Sequence, residues 1–509
     1  MKQYAIVSPA GGFKEDLPSI LIDKVYTPGY PTKNVLYENG LIRKGKGRGQ
    51  DFVTLTGSRE VNMLAHFEKT TIALGRKRYF IVGSKDKIYY WNGTAWADIT
   101  GAATFTGTET DIWSFTPYGE YFIFTNGKDG LYKWGGTGNI AILGGTPPNA
   151  KYVAQFKNYV VAANVAGYYN RVAWSAIGEM ENWTTGDSGE AIVDDVQPIM
   201  GLSATTNYLV IFKQFSIYIM NMIGGDLVFS INKRVERVGC HAPHSITELN
   251  NQVYFFGSNK RIYMFDGIEA HDISASIQDT LAQIKESNFG LIHGITIDSL
   301  NRLVWLIPKG NVTRNNYMVV YDVNIGAWFQ YEIEGTVMGV GGYEVEADDT
   351  WNTMLAQPGI TWATIDPDRQ WDDISYSSGE RVNVIGSTDG KVYRMFYTVD
   401  DKGADFTGTF VTKKVEFGAP NVVRRVLQLQ HYFKNEGVDR SVTISARIDN
   451  EPTFETGETF DLNGGTDDEF VIFDQYVDYV CKTLQLKIEG SDNWQYIGTI
   501  FSYEDLGYR

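Results

Sequence analysis

Apolar and polar residues alternate with a period of two along much of the chain, in short runs closed by turn residues. That is the pattern of half-buried β-strands. It is clearest between Asn207 and Ser274, where NYLVIF, FSIYIM and QVYFF follow one another between Gly, Asn or Gln–Phe turns. This stretch carries Arg261–Gly267 (RIYMFDG), a short apolar run ended by an Asp-Gly turn, and the unit recurs. Tyr89 in KIYYWNG, Tyr132 in GLYKWGG, Trp174 in NRVAWSA, Tyr218 in FSIYIM and Tyr263 in RIYMFDG are spaced by 43, 42, 44 and 45 residues. A repeat of that length matches a four-stranded propeller blade. Units around Tyr321 and Tyr393 fit at wider spacing, so seven anchors predict seven blades, or six if the last unit shares strands with its neighbour. A second echo follows the first and fifth repeats: Trp96–Thr100 (WADIT) matches Ala270–Ser274 (AHDIS). One blade cannot cover both faces of its own sheet, so the units must close into a ring.

From about residue 404 the period stops. FTGTFVTKKVEFG, RRVLQLQHYF, SVTISARID, FVIFD and TLQLKIEG alternate at strand length and read as a compact antiparallel sandwich. Residues 1–57 read as extended chain with one hairpin, NVLYENGLIRKG, turned at Asn39-Gly40. The expected fold is therefore all-β: a β-propeller of six or seven blades over 58–403, then a C-terminal β-sandwich over 404–509. The best helical pattern is short, Ser276 to Glu286, which excludes a helical bundle.

Composition agrees, with 53 Gly, 31 Tyr, 27 Phe and 12 Trp in 509 residues favouring short strands and tight turns. The net charge of −16 argues against a protein that grips nucleic acid by its phosphates. Basic residues cluster only at Arg43–Arg48, Lys413-Lys414 and Arg424-Arg425, whereas an acidic wall that duplex DNA slides past is compatible. Two cysteines, Cys240 and Cys481, leave no disulfide framework. The start lacks an apolar core of signal-peptide length and no run reaches membrane-spanning length, so a soluble protein made in a cytoplasm and without membrane insertion is expected.

Candidate chemistry is sparse. Cys240-His241-Ala242-Pro243-His244 is the densest group of ligand-type side chains, but zinc needs four convergent ligands, and the segment reads as a crossover between blades. Asp461–Glu469 (DLNGGTDDE) offers oxygen ligands of the kind Ca²⁺ takes, without EF-hand spacing, and reads as a solvated hairpin loop. Ser387-Thr388-Asp389-Gly390 is a fragment of an Asp-box turn. No nucleophile elbow, phosphate loop, dinucleotide fingerprint or zinc-protease motif is present, so no catalytic, cofactor-binding or metal-binding residue is assigned and no enzyme is indicated. The acidic segment between Tyr343 and Glu380 carries Trp351, Trp362 and Trp371, either on blade strands and their loops or as a partner-contact loop with aromatic anchors.

An ordered series of these patterns resembles the tail hub, or nozzle, proteins of tailed bacteriophages, including the packaged-DNA stabilisation proteins of short-tailed phages. The series begins with Asn34 and Asn39–Gly45, and continues with Asn170–Ser175 (NRVAWS), the run ending FSIYIM and Val238–Ile246 (VGCHAPHSI). YFFGSNKRIYMFDG, LVWLIPKG with YMVVYDVNIGAWFQY, and VTKKVEFGAPNVVRRVLQLQHYF complete it. Lys46-Gly47-Arg48 stands where the family more commonly has Arg-Pro-Gly. The resemblance implies a non-enzymatic virion protein. Six copies would form a ring-shaped DNA conduit below the portal and head-to-tail adaptor, retain packaged DNA, conduct it at ejection, and dock fibres, spikes or a plug. The competing expectation is a propeller that binds or hydrolyses glycans, with the three Trp as stacking platforms.

Overall fold

The computed structural model describes the chain except residues 10, 25, 29–30, 39, 51, 72–74, 226, 345–380, 419–420, 436–439, 463–468 and 509. Five four-stranded antiparallel meanders follow one another. Their innermost strands are Met63–Thr71, Ser114–Tyr118, Ala150–Phe156, Ile199–Ala204 and Thr247–Leu249. Blade 6 uses His293–Ile297, Arg302–Ile307, Asn315–Asp322 and the first part of one long strand, Ala327–Glu344. The rest of that strand begins blade 7, which continues with Arg381–Ser387 and Val392–Thr398 and is completed by Gly47–Gln50 from near the start of the chain. The last two blades thus share a strand, as one expectation held, yet the described strands form seven blades.

Packing explains the sequence pattern. Second strands such as Leu209–Lys213 and Arg302–Ile307 are buried at every position, because a neighbouring blade covers each face. Outer strands such as Gly189–Ile192 alternate half-buried and exposed. Among the described residues, each junction between neighbouring blades has its own apolar cluster: Phe52, Leu64 and Val384 lie between blades 7 and 1, and Phe67, Phe122 and Trp134 between 1 and 2. Polar ties lock the inner rim, with Trp113 Nε1 donating to Ser84 O at 2.9 Å and Val61 N to Ser387 O at 3.1 Å.

The sandwich pairs a four-stranded sheet (Gly408–Val411, Leu484–Gly490, Ser441–Ile448, Glu458–Asp461) with a six-stranded one. The larger sheet contains Phe470–Cys481, Val422–Lys434 and Gln495–Tyr508, and three strands from the other end of the chain: Lys2–Val7, Val35–Glu38 and Leu41–Lys44. Residues 1–57 are therefore not a unit of their own. Their strands fill the sandwich sheet and close the propeller, and Val35, Leu36, Tyr37 and Ile42 share one core with the C-terminal residues Phe410, Phe433, Ile488 and Tyr496. That same cluster runs on into blades 6 and 7 through Phe329, Tyr331 and Tyr393. The expected helix is reduced to Gln278–Ala282 between 3₁₀ turns.

Candidate functional site: the propeller axis

The innermost strands converge on a cavity of about 220 Å³. Asn62 and Leu64 line it from blade 1, Trp113 and Phe115 from blade 2, Tyr152 from blade 3, Leu202 from blade 4, His244 and Ile246 from the crossover into blade 5, and His293 from blade 6. Gly294 closes part of the wall, since a Cβ there would lie 2.5 Å from Ser245 O. B-DNA's major groove alone is about 12 Å wide, so the axis of one propeller admits no duplex.

His293 Nδ1 lies 2.8 Å from Leu291 O. It therefore donates, which leaves Nε2 as a bare acceptor. The ring stacks on His244 with centroids 5.3 Å apart and planes 17° apart. Burial pushes His293 down to about 4, and burial together with the neighbouring His293 and Lys151 holds His244 well below the ordinary imidazole range. Both imidazoles are neutral near pH 7. Burial also raises the Tyr152 phenol, so it stays protonated. Among the described residues no carboxylate lines the cavity.

The Cys240–His244 cluster does not converge. Cys240 is buried with Sγ on Ala242 O, its thiol pushed up to about 12 by burial; His241 packs on Phe289, and His244 points to His293. Among the described residues no three His, Cys, Asp or Glu side chains are grouped to hold a metal. Asp389 of the Asp-box fragment accepts the Lys391 backbone N–H at 3.3 Å and its Oδ2 lies 3.3 Å from Lys391 Nζ, an ordinary turn. Residues 463–468 of the DLNGGTDDE loop lie outside the described residues, as do Trp351, Trp362 and Trp371, whose segment joins the first two strands of blade 7. Tyr89, Tyr132, Trp174, Tyr218, Tyr263, Tyr321 and Tyr393 each fall on the third strand of a blade, one per blade. Sequence reasoning missed Asn62, Tyr152 and His293. Only the ring's closure brings them together.

A larger cleft, about 810 Å³, lies where the N-terminal segment meets blade 6. Its charges are engaged in holding the chain. Glu15 accepts Thr280 N at 2.9 Å and Thr280 Oγ1 at 2.8 Å, Glu332 pairs with Lys33 at 2.6 Å, and Lys309 Nζ sits 4.2 Å from the Tyr317 ring centre.

No protein-family model matches the sequence, and no curated protein matches it either. Among solved structures, the WD40 domain of Neurospora crassa Pan2 is similar at 9% identity and a TM-score of 0.37, over 69% of this chain and 94% of that one. BamB from Moraxella catarrhalis is similar at 9% identity and a TM-score of 0.34, over 68% and 99%. A family 43 arabinoxylan arabinofuranohydrolase from Bacillus subtilis aligns over 99% of both chains at 11% identity, with a TM-score of 0.23. At such values no activity passes from these proteins to this chain. The all-β propeller-and-sandwich architecture rests on the strand pairing itself.

Proposed function

We propose that this chain is a structural component of a phage tail, a hub or nozzle subunit that assembles through repeated copies into a ring below the head-to-tail adaptor. The observation that carries the reading is the ordered series of sequence patterns from Asn34 to Phe433, which spans both parts of the fold. A rigid, closed β-ring leaves few strand edges exposed and makes a good spacer. With the propeller axis too narrow for a duplex, the conduit would be the lumen between copies, generated by one repeated heterologous contact. The excess of 61 acidic over 45 basic residues would keep such a lumen from trapping DNA. The reading is of a non-enzymatic role: glycoside hydrolysis needs two carboxylates flanking one bond, and the described residues lining the axial cavity include none.

Quantitative mass spectrometry of purified virions, scaled to the portal protein, tests this. The expected result is half as many copies as a twelvefold portal, with density for the chain directly below the adaptor in cryo-electron microscopy. Absence from virions would overturn the proposal, and detectable hydrolysis of oligosaccharides by the purified protein would replace it with the glycan-active reading.

A further inference from the structure

Outward positions on a sandwich sheet are ordinarily polar, because only one face of an antiparallel sheet packs on the core. The edge strand Phe470–Cys481 departs from that rule. Of its outward residues only Asp474 and Asp478 are polar, while Phe470, Ile472, Tyr476 and Val480 are exposed, Tyr476 to 78%. Tyr432 stands beside Ile472 on the next strand, and the exposed Val7 continues the same row beyond Gly498. Four strands wide at about 4.8 Å each and up to 12 residues long at about 3.3 Å each, this face measures up to roughly 760 Å², near the ~800 Å² per partner that a stable complex buries.

A second apolar surface lies on blades 3 and 4, where Tyr168, Tyr169, Ile192, Val196 and Phe215 are all exposed, Val196 to 95%. They are neighbours. Arg171, opposite Ile192 in the outer strand pair, has its guanidinium 3.9 Å from the Tyr168 ring centre. Asn170 Nδ2 donates to Asp195 O at 2.8 Å and Phe215 N to Gln197 Oε1 at 3.0 Å, which brings the turns bearing Tyr169 and Phe215 to either side of Val196. Single exposed apolar side chains are ordinary, but contiguous patches mark contact sites, and aromatic residues dominate their energetics.

The two surfaces differ in charge. On the sandwich face Arg425 pairs with Asp478 and Lys2 with Asp505, which leaves Asp474, held by the neutral Gln428 and Gln430, and Glu504 against Lys434. Glu455 and Glu458, beside Tyr479 of the same edge strand, add to the acidic side. On blades 3 and 4 Arg171 pairs with Glu190, Lys213 with Asp195 and Lys233 with Glu236, which leaves Arg234 and Arg237 against Asp194. Arg237 follows Glu236, whose strand partner Ser216 adjoins Phe215, so this basic surplus borders the apolar patch.

We propose that the outer sandwich face of one copy docks on the blade 3–4 surface of the next. The sandwich core runs on into blades 6 and 7, and blades 3 and 4 lie across the seven-blade ring from these, so the two surfaces cannot meet within one chain. Complementary surfaces on opposite sides of a subunit make a heterologous contact, which propagates from copy to copy until a ring closes. The inference rests on the proposed ring of copies and names the contact that builds it.

Sedimentation velocity on the full chain tests it. The parent should assemble as its concentration rises. Phe215→Asp disables one surface and Tyr476→Asp the other, each at an exposed position, so each variant should keep the parent's melting temperature and sediment as a monomer. Mixed in equal amounts, the two should form a one-to-one dimer, because each retains the surface that the other lacks. Val196→Asp and Ile472→Asp form a second pair should a variant of the first fail to fold. The proposal is overturned if the parent sediments as a monomer at every concentration, if either single variant assembles as the parent does, or if the mixture does not pair. Copy number in virions is read separately: a sixfold count with no pairing in the mixture would strike this contact and leave the ring standing.

Discussion

Closure of the propeller depends on a strand of four residues, Gly47–Gln50, and on one ion pair that holds it. Arg48 Nε and Nη2 donate to the two oxygens of Asp401 at 2.7 and 2.6 Å, and the Arg48 backbone N–H adds a third bond at 3.0 Å. The guanidinium lies 5.9 Å from the Tyr393 ring centre. The Arg48 side chain is 6% exposed and that of Asp401 21%. Burial opposes ionisation of Asp401, but the Arg48 hydrogen bonds and charge outweigh it and hold the carboxyl below its ordinary range. Removing one partner of a buried pair costs about 3–5 kcal/mol, and the partial exposure of Asp401 places Asp401→Asn near the lower end. With about 2.1 cal/mol/K of unfolding entropy per residue over a unit of roughly 350 residues, ~3 kcal/mol lowers the melting temperature by about 4 °C. Calorimetry on the single variant measures this, and limited proteolysis should show earlier cleavage near the released strand. Replacing both partners by apolar residues, Arg48→Met with Asp401→Leu, should recover most of the loss, since buried pairs seldom exceed a well-packed apolar substitute. A shift below about 1 °C for Asp401→Asn, or a double variant less stable than the single one, would refute the argument. Because the folded carboxyl is depressed, this contribution is present above the unfolded carboxylate range and disappears as pH falls through the folded value.

His244, His293 and His431 are buried neutral, His293 and His431 at about 4. Unfolded histidines take up protons near pH 6.5 that the folded ones refuse, so stability should be full above that pH and fall between about 6.5 and 4, by up to ~1.4 kcal/mol per pH unit for each histidine. Urea unfolding at several pH values measures the slope; Glu15, raised by burial, opposes it as one group against these three and His241, which burial also lowers. Gly145 has φ +75°, and a Cβ there would lie 1.4 Å from Glu181 O, whereas Gly119 at φ +55° has open space around it. Gly145→Ala should therefore cost well over the roughly 1 kcal/mol expected of Gly119→Ala from backbone strain alone, a difference that equal melting points would disprove. Cys240 and Cys481 are buried, with thiols pushed up to about 12, so a thiol reagent should label neither until the protein unfolds. Residues 404–509 expressed alone should fail to unfold cooperatively, and linking residues 1–45 to them should restore a folded sandwich by circular dichroism and calorimetry.

The blades were legible because the sequence repeats what each blade repeats physically. Asp98 in WADIT accepts the N–H of Thr100 at 2.8 Å, and the Thr100 hydroxyl accepts the N–H of Ile88 at 2.9 Å. Asp272 in AHDIS accepts the N–H of Ser274 at 2.8 Å, and the Ser274 hydroxyl accepts the N–H of Ile262 at 2.9 Å. Lys87 and Arg261 pair with the two aspartates in turn. The echo in the letters is one hydrogen-bonding device used twice. The role of the first residues was not legible, because Val35–Glu38 and Leu41–Lys44 look like any hairpin, and Leu41–Lys44 pairs with a strand more than 450 residues away. The axial site was hidden for a related reason. Asn62, Tyr152 and His293 lie on different blades, no local spacing links them, and each looks like an ordinary strand residue until the ring closes.

Domains joined by one linker over a modest interface are expected to move against each other. Here the chain crosses between sandwich and propeller twice, once between Lys44 and Gly47 and once between Thr398 and Gly408. Lys44 Nζ donates to Val399 O at 2.5 Å across the two crossings, and one apolar cluster contains residues of both parts. The chain ends meet as well: Lys2–Val7 pairs with the last strand, and Lys2 Nζ lies 2.5 Å from Asp505. The propeller is thus an insertion clamped at both of its ends by a sheet that needs both ends of the chain. A hinge between the parts would have to break the shared cluster and both crossings together, so sandwich and propeller move as one body. In an assembly of such subunits, opening and closing has to occur between copies rather than within one.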